Sequence, residues 1–267
     1  MYLRGVTTPE LDPLEFLQLV ADPVRWQVMG ELARSDRRVN ELTAQVGKPQ
    51  NVVSYHLRQL RAAGLVSARQ SSADGRDTYY CVDLHRCSRL FRATAIELHP
   101  GLQLAPLTPP PHRHPSRRAP RVLFLCTGNS ARSPMAEALL RARSGNTVDA
   151  RSAGSHPKAL HPRAVEVMAE RGIDISGRSS THLDRYARTR FDHVVTLCDR
   201  VREVHPEFPG TPTVAHWSLA DPSAATERGE AIRSAFEQTA AELDARIEFF
   251  LPQLTVEPEP GARPHER

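Results

Sequence analysis

Hydrophobic residues fall at helical spacing through PLEFLQLVADPVRWQVMGELA, Pro13 to Ala33, and the pattern breaks at Asp22-Pro23. RVNELTAQVG reads as a short amphipathic helix closed by Gly47. PQNVVSYHLRQLRAAG reads as another, with Val53, Leu57 and Leu60 on its buried side and Gly64 at its end. LVSARQSSADGRDTYYCVD then changes period, giving two β-like runs around Asp74-Gly75, which is a hairpin signal. HRCSRLFRATAIELH returns to helical spacing.

The second half has a different texture. RVLFLC, Arg121 to Cys126, is a continuous apolar run of the kind buried in a parallel sheet. SPMAEALLRARS is helical, with Ser133 suited to cap it and Pro134 to its first turn. Between the halves lies PLTPPPHRHPSRRAP, Pro106 to Pro120, nearly free of apolar residues. Such a segment cannot bury enough surface to fold, and its prolines hold it extended. The organisation expected is a domain over 1–105, a linker over 106–120, a second domain over 121–254 and a disordered tail over 255–267.

Composition adds little beyond this. A chain of 267 residues, 40% hydrophobic and 25% charged, has the makeup of an ordinary globular protein of about two domains. No signal peptide is read in MYLRGVTTPELDP. No run approaches the roughly 18 apolar residues of a membrane span, so a cytoplasmic location without membrane contact is expected. Four cysteines in such a chain are reactive thiols, ligands or core residues rather than a disulfide framework. The formal net charge of +4 permits nucleic-acid binding without demanding it. Among the basic residues only Lys48 and Lys158 are lysines, a bias that hints at a GC-rich genome.

Helix, short turn, second helix and basic hairpin make the winged helix-turn-helix plan, whose second helix enters the major groove. That helix would present Gln50, Asn51, Ser54, Tyr55 and Arg58. Gln and Asn read adenine edges, and Arg reaches guanine or phosphate. Arg76 at the wing tip suits a phosphate. The plainer alternative is a helical interaction domain with a solvated polar face. ADPVRWQVMGELA, SYHLRQLRAAGLV and GRDTYYCV resemble the ArsR/SmtB repressors at the same relative spacing, over roughly residues 10–100. The resemblance implies a homodimer, formed through this domain, on a near-palindromic double-stranded operator. It departs from the arsenic-sensing pattern in having no cysteine between Arg38 and Val53. Cys81 and Cys87 stand as candidate arsenite ligands with a third partner, against the alternative of ordinary core cysteines.

In RVLFLCTGNSARSPMAEALL, Cys126 ends the strand and Arg132 stands at the start of the helix. A loop joining a strand to a helix N-terminus points backbone N–H groups into one concave space and forms an anion cradle. Thr127, Gly128, Asn129, Ser130, Ala131, Arg132 and Ser133 would line it. Arg132 adds a permanently charged fork for a tetrahedral oxyanion. A thiolate at its mouth is stabilised by the same groups and faces the bound oxyanion as a nucleophile. Displacing an oxygen from that oxyanion needs a general acid, and Asp221 in HWSLADPSA is the candidate. Metal ligation by His112 and His114 is not expected, because two histidines on a flexible segment make a poor site.

CTGNSARS, SAGSHP, HPRAVEVMAERGIDISGRSS, DHVVTLCD and HWSLADP resemble, in order, the low-molecular-weight tyrosine phosphatases and specifically their arsenate reductase branch (ArsC type). The resemblance implies an α/β domain with a four-stranded parallel sheet, its strands near 121–126, 148–152, 193–197 and 213–217. It makes Cys126 the nucleophile and Arg132 the oxyanion ligand. Asn129 would hold the loop, Ser133 support the thiolate and Asp221 assist the leaving group. Cys198 stands where the branch keeps a resolving cysteine. His205 stands where the branch commonly has a third, so the relay to thioredoxin is interrupted. No bound cofactor is expected. The reductant would be an external thiol of the mycothiol/mycoredoxin, thioredoxin or glutathione type. The reading is a regulator fused to an arsenate reductase. Its rivals are a tyrosine phosphatase tethered to a DNA-binding domain and an oxyanion-sensing regulator without turnover.

Overall fold

A computed structural model describes residues 11–73, 75–102, 118–224 and 230–255. The leader reading over 1–10, turn residue Asp74, the linker over 106–117 with His112 and His114, and the tail from 256 lie outside them.

Two separate hydrophobic cores organise the described residues. In the first, α1 (Pro13–Val20) and α2 (Pro23–Arg34) are separated where the sequence pattern breaks. Asp12 and Asp22 cap them through side-chain bonds to backbone N–H groups, and proline opens each. α3 (Val39–Val46) ends at Gly47, whose φ of 65° is the left-handed conformation that glycine adopts without steric cost. α4 (Gln50–Ala62) buries Val53, Leu57 and Leu60 as expected. β2 (Val66–Gln70) and β3 (Thr78–Val82) pair antiparallel as the wing, and α5 (Leu84–Leu98) closes the unit against α1.

One element was not foreseen. β1, only Arg37–Arg38, adds a third strand beside β3. Two residues are too short to show an alternating pattern, so nothing marked them as a strand.

The second core surrounds a parallel sheet of order β5-β4-β6-β7, built from β4 (Arg121–Cys126), β5 (Asp149–Gly154), β6 (His193–Thr196) and β7 (Thr213–His216). α6 (Arg132–Arg143), α7 (Pro162–Ala169), α8 (Asp199–Val204) and α9 (Glu230–Thr255) complete it. β4 is central and buried on both faces, which is why RVLFLC reads as unbroken apolar residues. The loops leaving the carboxyl ends of β4, β6 and β7 come together, the place where ligands bind in open α/β sheets.

The C-terminal end of edge strand β7 meets the N-terminal unit. Asp36 N donates to the His216 carbonyl at 2.7 Å, and His216 N donates to Ser35 Oγ at 2.9 Å. Asp36 also accepts from Ser218 N at 2.7 Å and takes Arg246 of α9 on both oxygens, at 3.0 Å each. A buried carboxylate bound in this way is fully paired.

Candidate active site

The loop after β4 turns its carbonyls outward. Those of Thr127, Gly128 and Ser130 accept from the amides of His156, Lys158 and His161 at 2.8 Å each, and Asn129 O accepts from Ser180 Oγ. In a trans peptide the next residue's N–H points opposite to the carbonyl. The amides from Gly128 to Ala131 are thereby directed to the concave side.

Asn129 sustains this shape. Its φ of 45° is left-handed, a conformation asparagine adopts more readily than most residues. Its buried amide donates to Ser133 Oγ at 2.9 Å and Ser152 Oγ at 3.0 Å, and its carbonyl accepts from Thr181 N at 2.7 Å. Ser152 passes the chain on to Glu137. Gly154 lies against the outer side of the loop. A Cβ there would stand 2.6 Å from Thr127 O, 2.8 Å from Asn129 N and 2.9 Å from Cys126 O, all backbone atoms.

The chemistry sits inside. Cys126 Sγ is 2.9 Å from Ser133 Oγ. Ser133 does not cap α6: the helix starts at Arg132, its N-cap is Ala131, and there is no side-chain capping bond. Placed in the first turn, the Ser133 hydroxyl faces the cysteine and Asn129 instead, a use that its place in the sequence alone did not separate from capping. Arg132 is buried, donating through Nη1 to the Leu219 carbonyl at 3.1 Å and through Nη2 to Asp221 Oδ2 at 2.9 Å. Asp221 also accepts from the amide and hydroxyl of Ser223. Burial pushes the Asp221 carboxyl up, but Arg132 and the Ser223 hydrogen bonds outweigh this and hold it below the usual carboxylate range.

Cys198, the N-cap of α8, brings the second thiol to the same loop: its Sγ is 3.2 Å from Thr127 Oγ1. Burial raises its pKa, Arg132 and the Thr127 hydroxyl oppose that, and Cys126 adds to it. Cys126, Arg132, Ser133, Asp221 and Cys198, scattered over about 95 positions, thus form one site. His205 lies at the far end of α8, bonded to its neighbour's carbonyl and stacked on Phe208.

The other candidates lie elsewhere. Gln50, Asn51, Tyr55 and Arg58 are exposed on α4, Ser54 is half-buried, and Arg76 is exposed at the wing tip. Cys81 faces Arg246 across the junction at 3.1 Å, whereas Cys87 sits in the N-terminal core. Burial pushes Cys87 up to about 11 and Cys81 higher still. Among the described residues no group of three His, Cys, Asp or Glu could hold a metal ion. No helix among them is long and apolar enough to cross a membrane. Sequence reasoning missed Ser152, Thr181 and Ser223, which support Asn129 and Asp221. They are ordinary hydroxyl residues that only the folded contacts single out.

A cysteine and an arginine on one strand-loop-helix cradle, with an aspartate opposite, define a class of enzymes that attack tetrahedral oxyanions by a thiol. Through residues 121–259, which match the model for low molecular weight phosphotyrosine protein phosphatase, the chain belongs to that family. Residues 22–68 match the model for bacterial regulatory protein, arsR family. An arsenate reductase of Halalkalibacterium halodurans is 38% identical over 129 residues, spanning 48% of this chain and 93% of that protein. One from Brevibacillus brevis is 40% identical over 129 residues, spanning 48% and 92%. A solved arsenate reductase from Archaeoglobus fulgidus is 28% identical, covers 49% of this chain and 98% of its own, and superposes with a TM-score of 0.41.

Proposed function

We propose that the C-terminal domain, over 121–254, reduces arsenate to arsenite and that the N-terminal domain, over 1–105, is an operator-binding regulator joined to it by the linker. The observation that carries the enzymatic half is the second thiol, Cys198, which from the start of α8 brings its Sγ within 3.2 Å of Thr127, the residue after nucleophile Cys126. A phosphatase has no chemical need for it.

In the reaction proposed, the Cys126 thiolate attacks arsenic, an S–As bond forms and one As–O bond breaks. The departing oxygen takes a proton from Asp221 and leaves as water. Cys198 Sγ then attacks Cys126 Sγ: the S–S bond forms, the S–As bond breaks, and its electron pair stays on arsenic. Arsenic(V) becomes arsenic(III), the two thiols become a disulfide, and the Cys198 proton departs on arsenite. The cradle amides and Arg132 hold the oxyanion throughout. An external thiol reduces the disulfide. The chain's remaining cysteines, Cys81 and Cys87, lie outside this site, so there is no third cysteine to carry the disulfide outward. A thiol cycle of this kind belongs in a reducing cytoplasm.

For the regulatory half, support comes from the polar exposed face of α4 and from apolar side chains exposed elsewhere on the same unit. Leu14, Leu17, Trp26, Ile96 and Leu98 are exposed on α1, α2 and α5, a surface that fits a second copy of the chain.

Arsenite formation by purified protein tests the enzyme, with mycothiol, thioredoxin and glutathione systems supplied in turn. Wild type runs beside Cys126→Ser and Cys198→Ser, with an aryl phosphate as control. Arsenite from wild type alone supports the reading. Brisk aryl phosphate hydrolysis without arsenite turns it to the phosphatase, and silence on both substrates turns it to an oxyanion sensor.

A further inference from the structure

One strand of the wing reaches the helix that carries the second thiol. Asp199, the residue after Cys198, is wholly buried, and its carboxylate is gathered from both domains. From the wing, Arg69 Nη2 donates to its two oxygens at 3.1 and 2.9 Å, and Ser72 donates through its amide at 2.6 Å and its hydroxyl at 2.9 Å. From the reductase side, His216 Nε2 lies at 3.0 Å and Ser218 Oγ at 2.7 Å. Arg69 Nε also donates to the Ser218 carbonyl at 3.0 Å, one residue before the Leu219 carbonyl that holds Arg132. Arg200 Nε donates to the Ser72 carbonyl at 3.3 Å. The wing thus binds the side chains of Asp199 and Arg200, just after Cys198, and the backbone carbonyl of Ser218.

We propose that Arg69 of the wing is a positioning residue for Cys198, acting through Asp199, so that the DNA-binding domain forms part of the reductase. This rests on the reductase reading above.

The argument is geometric and electrostatic. Cys198 must bring its sulfur from Thr127 Oγ1 to bonding distance of Cys126 Sγ, about 2.05 Å in a disulfide. In that step the S–S bond forms, the S–As bond breaks with its electrons left on arsenic, and the Cys198 proton departs on arsenite. The side chain swings from a backbone whose next residue is anchored by six bonds, so Asp199 is the fixed point of the swing. Arg69 is the only arginine or lysine bonded to that carboxylate among the described residues. A buried carboxylate that loses its cation is strongly unfavourable, and the start of α8 must shift to relieve it. Such a shift misplaces Cys198 while leaving Cys126, Asn129 and Ser133 in their own hydrogen-bond network, which contains no wing residue.

The test is a single turnover of the reduced full-length protein with arsenate, followed by thiol loss and by mass spectrometry of the Cys126–Cys198 peptide pair. Arg69→Ala should slow disulfide formation about tenfold or more, with a clearly smaller rise in the KM for arsenate, because Arg69 also holds the Ser218 carbonyl beside the one that binds Arg132. Arg69→Lys, which returns a charge without the fork, should recover part of the rate. It also carries the test if the alanine variant does not fold. In the Arg69→Ala/Asp199→Asn pair the losses should be less than additive, because the neutral amide no longer needs the cation. Disulfide formation at the wild-type rate in Arg69→Ala overturns the proposal. So does a rise in KM matching the fall in rate, which is what general damage to the site would produce. A wild-type protein that forms no arsenite sinks the reductase reading instead, so the two failures are distinguishable.

Discussion

Arg132 and Asp221 are hydrogen-bonded to each other at 2.9 Å, so the proposed oxyanion ligand and the proposed acid share one ion pair. That pair keeps Asp221 ionised at neutral pH, although an acid must carry a proton when the As–O bond breaks. An oxyanion that takes the Arg132 fork weakens the largest of the interactions that hold the carboxyl down and brings negative charge beside it, and both effects favour proton uptake at Asp221 while the Ser223 hydrogen bonds oppose it.

Oxyanion binding near pH 7 should therefore be accompanied by proton uptake at Asp221. Calorimetry of arsenate or phosphate binding in two buffers of different ionisation enthalpy reads this directly, and Asp221→Asn should remove that uptake. The same variant should lower kcat for arsenate by about 10²-fold or more, the usual contribution of a positioned acid. Equal proton uptake in both proteins would show that Asp221 is not the group being protonated.

Gly154 gives a sharper probe of the cradle. Its Cβ position overlaps backbone atoms of the loop at 2.6–2.9 Å, and no side-chain rotation relieves that. Gly154→Ala should push the loop off β5 and weaken phosphate or arsenate binding about tenfold or more, a loss of about 1.4 kcal/mol. Far-UV circular dichroism should stay close to wild type, because the strand itself tolerates alanine. Unchanged oxyanion affinity would mean that the loop shape does not depend on this contact.

Such tight spots explain how much could be read in advance. The Cys126–Arg132 cradle was legible because a buried strand, a short loop and a helix start follow one another locally, and each carries its own signal. The wing, α4 and its buried stripe of Val53, Leu57 and Leu60 were legible for the same reason. The contacts of Arg69 with Asp199 and of Asp36 with Ser218 were not. They join residues 130 and 182 positions apart, and an Arg in a wing and an Asp after a cysteine carry no mark of each other. Ser133 divides the two kinds of reading: the local pattern suggested a cap, which the helix does not use, while the family resemblance put it beside the thiol, where the fold has it.

The exposed apolar face yields a prediction about assembly. Leu17 and Trp26 line one apolar surface pocket with Val20 and Phe91, and Trp26 is 57% exposed, a patch that is costly to leave in water. Leu17→Glu, placed in that face, should convert a dimer to a monomer by light scattering and weaken operator binding, while arsenate turnover per chain holds. A wild-type protein that is monomeric at micromolar concentration would contradict the assignment of this face.

The last prediction concerns pH. His216 is buried between Thr196 and Asp199. Burial lowers its pKa, and the hydrogen bond to Asp199 only partly offsets this. A carboxylate only accepts, so Nε2–H donates to Asp199 and the neutral ring takes the Thr196 hydroxyl on Nδ1. Burial also lowers the pKa of His193, against a small opposing effect of Asp192. In the unfolded chain these rings take up protons below a pH of about 6.5, while in the fold they stay neutral to lower pH. The unfolded state then binds more protons, so stability is complete above about pH 6.5 and falls as pH drops below it. The slope is at most about 1.4 kcal/mol per pH unit for each ring. Urea unfolding at pH 7.5 and 5.5 should show this loss. His216→Gln keeps a donor for Asp199 and cannot titrate, so it should lower stability at pH 7.5 but shrink the difference between the two pH values. A pH difference as large in the variant as in wild type would place the titration elsewhere.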